Sequence, residues 1–198
     1  MKKKIVIVLL VLLCIIISSY GVLYLINRNK NKNEAVELFN EYAFYYIDLE
    51  KDVKDIDEVR KKLMELRYVK SVELISNEKH LNDFKEYLKE DELDIGDDAS
   101  IFRNSFIMKF QFEPEDLDNI YEIEKELYNE IKDIEEVEKI SDSMFYSLIN
   151  VYNDKGFKEL KSYCRVYEET KNMDSEEILK YYETHPEYEW LLTQNYSM

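Results

Sequence analysis

One pattern occurs twice in this chain, and it limits the fold more than any other feature of the 198 residues. The series Ile56, Val59, Leu63, Leu66, Val69, Val72, Ile75 and Ser76 returns as Ile120, Ile123, Leu127, Ile131, Ile134, Val137, Ile140 and Ser141. The first three pairs lie 64 residues apart and the next five 65, one residue of slippage at the helix end. In each copy the 3–4 spacing collects apolar side chains on one helical face, and a β-branched stretch follows at 69–75 and at 134–140. A strand precedes each helix. Ala43, Tyr45, Ile47 and Leu49 alternate with Phe44, Tyr46 and Asp48; Phe106, Met108, Phe110 and Phe112 alternate with Ile107, Lys109 and Gln111. Asp55 ahead of Glu58 suits a capping box for the first helix. Pro114 with Glu115 and Asp116 suits the first turn of the second. Strand–helix–strand twice over, related by a pseudo-twofold, predicts an α+β fold: a ferredoxin-like βαβ-βαβ antiparallel sandwich with its helices on one face.

Residues 5–26 contain no charge. Twenty-two helical residues reach roughly 33 Å, enough to cross a hydrocarbon core of about 30 Å. Lys2, Lys3 and Lys4 precede the run, and Asn27-Arg28-Asn29-Lys30-Asn31-Lys32-Asn33 follows it. The expected organisation is a cytoplasmic leader at 1–4, a transmembrane helix at 5–26, a juxtamembrane linker at 27–40, a compact domain at 41–142 and a helical, aromatic-rich extension at 143–198. A cleaved signal peptide is the competing reading, with small residues at Ser19 and Gly21; the apolar run continues past them through Ile26. Three basic residues on each flank leave orientation undecided by charge.

Between the copies, Ser76 can cap a helix carrying Leu81, Phe84 and Leu88 with Tyr87 beside them. This is a helical lobe inserted between the repeats. Leu93, Ile95, Ile101 and Phe102 are apolar residues in a segment otherwise full of charge, which either tuck under the lobe or form an exposed binding patch. The acidic run at 91–98 lacks the spacing of a calcium loop, since its third and fifth positions would be Leu93 and Ile95. After residue 142, Met144, Phe145, Leu148, Ile149 and Tyr152 are spaced as a helix face, continued after Gly156 by Phe157, Leu160 and Cys164. Asp174 or Ser175 can cap a last helix bearing Ile178, Leu179 and Tyr182, which His185-Pro186 breaks. Such aromatic content packs back on the domain or against a partner.

Composition excludes several functions. The formal charge is −16, and residues 1–33 hold six basic residues and no acid, so the remainder carries −22. Such a body repels phosphate backbones and argues against nucleic-acid binding. Gly21, Gly96 and Gly156 stand too far apart for a phosphate-binding loop. No pair of Cys or His has metal-ligand spacing, and His80 and His185 are isolated, His80 on the polar side of its helix as a surface residue. Cys164 is the one thiol of the body, so no disulfide forms within it. No catalytic residue, cofactor or metal is expected, and the chain reads as a non-enzyme.

The residues also resemble a known family. A leading span, an extended strand, a helix ending in Val69-Lys-Ser-Val72-Glu-Leu-Ile75-Ser76, a helical lobe, Asn104-Ser105-Phe106-Ile107-Met108-Lys109 opening a third strand, and Ile134-Glu-Glu-Val137 closing a fourth are similar to the extracellular domain of FtsX. FtsX is the permease-like subunit of a bacterial cell-division complex. Where that family usually has Asn-Pro-Leu-Pro, this chain has Ser100-Ile101-Phe102-Arg103, and no further apolar span follows. The resemblance implies an orphan domain on a single-pass anchor, N-terminus inside and domain extracytoplasmic. Its lobe would bind a cell-envelope protein of the peptidoglycan-hydrolase type through Phe84, Tyr87, Leu88, Leu93, Ile95, Ile101 and Phe102. An acidic inhibitor or immunity-type protein that neutralises a basic partner is the alternative, and an envelope hydrolase the third.

Overall fold

The computed structural model describes residues 2–88 and 98–191, with side chains at those positions except 2–17, 87–88, 141–143 and 189. Its first element is a helix, α1 (Lys2–Tyr42), followed by β1 (Phe44–Leu49), α2 (Ile56–Met64), β2 (Val69–Ile75), α3 (Asn77–Leu88), β3 (Ser105–Phe110), α4 (Ile120–Lys132), β4 (Val137–Ser143) and three closing helices, α5 (Met144–Lys155), α6 (Phe157–Thr170) and α7 (Ser175–Thr184). The four strands form one sheet in the order β2-β3-β1-β4. Every neighbouring pair is antiparallel, so β3 lies between the two strands of the first unit and β1 between the two of the second.

The strand faces follow the alternation in the sequence. Tyr45, Ile47 and Leu49 of β1 and Phe106, Met108 and Phe110 of β3 are all fully buried on the helical side. Val59 and Leu63 of α2 and Leu127 and Ile131 of α4 cover them. Asp55 accepts a hydrogen bond from the Glu58 amide at 2.9 Å and so opens α2, the N-cap half of the expected capping box. Pro114 opens a short 3-10 helix, Pro114–Asn119, and the α-helix proper begins only at Ile120.

The duplication is real, but its register differs from the one read in the sequence. In both copies the helix ends in the same hydrogen-bonded turn: Leu66 N to Leu63 O and Val69 N to Leu66 O in one, Ile134 N to Ile131 O and Val137 N to Ile134 O in the other. Equivalent residues are therefore 68 apart, not 64 or 65, and the fourth strand runs over Val137–Ser143 rather than 134–140. The difference is about one helical turn. An apolar stripe of 3.6-residue period maps onto itself under such a shift, so periodicity identifies the face without fixing the register.

A second correction concerns residues 27–40, expected as a linker. They are helical, part of one unbroken α1 of 41 residues. The last turns of α1 enter the core: Ala35 and Phe39 are fully buried and Val36 is 7% exposed. Phe39 packs edge-on against Phe112, Phe145 and Tyr152, with ring centroids 6.5, 6.2 and 5.9 Å away. Asn40 fixes the junction, since its Oδ1 accepts from the Phe112 amide and its Nδ2 donates to the Phe112 carbonyl. Higher up the same helix, Tyr20 and residues 22–26 are more than half exposed. Among the residues whose side chains are described, no helix is long and apolar enough to cross a membrane; positions 5–17 of the expected span lie outside them.

Of the closing helices, α5 packs back on the sheet, and α6 packs on α5 and α1. Chain passes from β4 into α5 without a loop, and Phe145, Leu148 and Ile149 are fully buried. Phe145 lies 4.9 Å from Phe110 and 5.2 Å from Phe112, centroid to centroid, so the expected boundary at 142/143 falls within one continuous core. Asp174 caps α7, accepting from the Glu176 and Glu177 amides, and His185 ends it.

Candidate functional site

The inserted lobe sits on the outer face of the sheet, opposite the core. Ser76 begins it, its hydroxyl accepting from the Lys79 amide at 3.2 Å, while Asn104 Oδ1 accepts from the Asn77 amide at 3.1 Å. The first bond caps α3, and the second ties its start to the entry of β3. The return segment makes a 3-10 turn at Ala99–Ile101, capped by Asp98, whose carboxylate accepts from the Ser100 amide at 2.9 Å. Hydrogen bonds from Ser100 hold the Asp98 carboxyl below its ordinary range. Leu81 turns inward and is 6% exposed.

Two of the seven expected partner-binding residues face solvent. Phe84 is 40% exposed and Ile101 56%. Phe102, next to Ile101, is half-buried; its ring meets Phe84 edge-on at 5.6 Å and stacks on His80 at 6.4 Å. Helix packing thus brings Phe84, Ile101 and Phe102 onto one part of the lobe. The side chains of Tyr87 and Leu88, and all of Leu93 and Ile95, lie outside the described residues.

Beneath Phe102 is a polar cluster that the sequence reading missed. His80, expected at the surface, is half-buried, with Nε2 3.0 Å from the Tyr46 hydroxyl and 3.2 Å from Ser105 Oγ. Ser105 in turn donates to Asp48 Oδ1 at 2.8 Å. Burial pushes the Tyr46 hydroxyl above its ordinary range, and the hydrogen bond to Ser105 works against that shift. Tyr46, Asp48 and Ser105 are outward residues of β1 and β3, so alternation did place them on a shared face.

Aspartate, histidine and serine are the residue types of an acyl-transfer triad, but they are joined differently. In a triad the carboxylate orients the histidine and the histidine activates the serine. Here the carboxylate binds the serine itself, and Ser105 is 2% exposed, out of reach of a substrate. The cluster is a clamp between lobe and sheet. Elsewhere, burial pushes the Cys164 thiol up to about 12, away from reactivity. Among the described residues no group of three or more His, Cys, Asp or Glu could hold a metal ion.

Comparison with known proteins adds a family. The sequence pattern of the family described as FtsX extracellular domain matches residues 44–146, just over half of the chain. The match runs from β1 into the first turn of α5. A crystal structure of Extracellular Domain 1 of FtsX from S. pneumonie, in complex with undecyl-maltoside, is 20% identical. It matches over 51% of this chain and 94% of that one, with a TM-score of 0.40. No curated protein matches the chain.

Proposed function

Because the chain belongs to the FtsX extracellular domain family, we propose that it is a membrane-anchored, extracytoplasmic module whose lobe docks a cell-envelope protein of the peptidoglycan-hydrolase type. The observation that carries this reading is the apolar surface of Phe84 and Ile101, held out by a lobe that the core does not require. Large apolar groups raised together from a strongly charged segment favour a protein partner over solvent. The interleaved strand order supports a ferredoxin-like scaffold beneath the lobe. Residues 5–26 supply the anchor in this reading, with residues 1–4 inside the cell. The exposed apolar stretch from Tyr20 to Ile26 supports that placement, since water is a poor surrounding for it. Residues 41–142 form the recognition domain, and the helices of 144–184 brace it. The module acts by binding, with no reaction of its own.

The test uses the full chain in nanodiscs and peptidoglycan hydrolases purified from the same bacterium, with affinity read by surface plasmon resonance. Phe84→Asp and Ile101→Asp should each weaken binding by about tenfold or more, the scale of a lost apolar anchor. Leu179→Asp, at a residue 61% exposed on α7, should leave it unchanged. Affinity should fall only slightly between 50 and 500 mM salt. A steep fall would assign the binding to the −22 charge of the body and favour the acidic-inhibitor reading. No binding to any hydrolase would overturn the proposal.

A further inference from the structure

A recess of about 470 Å³ opens where α1 meets the junction of α5 and α6. Arg28 and Lys32 line it from α1, joined by the amide side chains of Asn27, Asn31 and Asn153. Tyr24, Tyr152 and Phe157 supply aromatic walls. Lys32 is largely shielded, its side chain 19% exposed, and donates to Asp118 Oδ2 at 2.8 Å. That bond uses one of three ammonium donors and leaves the others for a ligand. Arg28 is exposed and has no ion-pair partner among the described residues. Lys32, then Arg28, hold the Asp118 carboxyl below its ordinary range. It is therefore a charged acceptor at neutral pH, suited to hydroxyl donors and unsuited to a second anion.

The position of the recess matters as much as its lining. Ile26 is the last residue of the apolar run, and Arg28 and Lys32 follow it by roughly 3 and 9 Å of helix rise. The headgroup layer on each side of a bilayer is about 5–8 Å thick. Paired cations, amides and tyrosines at that depth match the polar part of a lipid. We infer that this recess holds the headgroup of an anionic, hydroxyl-bearing phospholipid of the phosphatidylglycerol class. Arg28 and Lys32 take the phosphate, and Asp118 and the asparagine amides take the headgroup hydroxyls. The bound lipid fixes how the domain stands on the membrane and therefore where the lobe points. This inference rests on the anchored reading above.

The experiment separates the two. Full-length protein is mixed with vesicles of phosphatidylcholine alone or with 30% phosphatidylglycerol, and flotation is followed by hydrogen exchange of amides 150–160. The anchor predicts flotation with both vesicles. The headgroup site predicts that phosphatidylglycerol alone slows exchange around Gly156, by about fivefold for each cation engaged. Arg28→Gln and Lys32→Gln should each reduce that protection by about fivefold, and together abolish it, without changing flotation. Flotation without lipid-dependent protection overturns the site and leaves the anchor. Absence of flotation overturns the anchor. Equal protection by inorganic phosphate or glycerol phosphate, with no vesicles present, would make free phosphate the ligand and overturn the lipid assignment.

Discussion

The two halves of the duplicated scaffold end their second strands alike and then part company. After β2 the chain crosses to the outer face and builds α3, whose His80 reaches Tyr46 of the sheet and stacks on Phe102. After β4 it turns to the helical face and builds α5, whose Phe145 enters the central aromatic cluster beside Tyr45 and Phe110. One continuation is thus peripheral and the other part of the core. The contrast suggests a division of labour: an element that the core does not need is free to carry apolar surface for recognition.

Truncating one aromatic residue in each continuation tests that division and should give the largest effect. Phe145→Ala should cost about 3–5 kcal/mol, since it opens a cavity among packed rings. Phe84→Ala, at a position 40% exposed, should cost less than about 1 kcal/mol. Urea unfolding of the full chain in detergent, followed by Trp190 fluorescence, measures both. Similar losses at the two sites would place α3 in the same cooperative unit and remove the distinction.

What was legible in the sequence follows from the range of each interaction. Two-residue alternation in Tyr45, Ile47 and Leu49 belongs to the strand itself, so the faces of β1 and β3 could be read directly. The repeat could be seen but not registered, because Ile56, Val59 and Leu63 fit Ile120, Ile123 and Leu127 better than their true equivalents one turn later, where Ile56 meets Glu124. Residues 27–40 read as a linker because the Asn and Lys run at 27–33 hides the signal behind it. That signal was the spacing of Ala35, Val36, Phe39 and Tyr42, which is helical and apolar. His80 could not have been found locally. Its partners Tyr46 and Ser105 lie 34 and 25 residues away on different strands. At the candidate site, Phe84 and Ile101 stood out as apolar residues among charges, but their exposure depends on how α3 meets the sheet.

A medium effect is expected where the halves differ in chemistry. Ile56 of α2 corresponds to Glu124 of α4, and Glu124 is 8% exposed. Its carboxyl accepts from the Tyr45 hydroxyl at 2.7 Å. Burial raises its proton affinity above the ordinary carboxylate range, and the tyrosine bond opposes the shift. A carboxyl raised in the folded state binds its proton more tightly there than in the unfolded chain. Its contribution to stability is therefore complete below the unfolded value and is lost as pH rises through the folded one. Glu124→Gln keeps an acceptor for Tyr45 and should remove that downward component between mildly acidic and neutral pH. Tyr45→Phe takes away the donor and should cost about 1–3 kcal/mol at neutral pH, less in acid. Unfolding curves at several pH values check both. An unchanged pH dependence in Glu124→Gln would show that the carboxyl does not titrate differently in the folded protein.

The smallest effect should come from the turns that the halves share, and there the sign matters more than the size. Tyr68 and Glu136 occupy the same place before β2 and β4. Their carbonyls do similar work, accepting from Gln111 N at 2.8 Å and from Glu50 N at 2.9 Å. Yet Tyr68 has φ +68° and is the one non-glycine residue with positive φ among those described. Its ring packs 5.6 Å from Phe112, with the Arg67 guanidinium 4.5 Å from its centroid, and these contacts help hold the strained backbone in place. Replacing either residue by Gly or by Ala removes the side-chain contacts in both cases, so the Gly–Ala difference isolates the backbone. At position 68 glycine should be better by about 1 kcal/mol, because a Cβ is disfavoured in the left-handed region. At position 136 alanine should be better by up to about 1 kcal/mol, because glycine there only adds unfolded-state entropy. Four variants and their denaturation midpoints decide the matter. The same sign at both positions would mean that the two turns share one backbone conformation and that the asymmetry between the halves begins only after the strands.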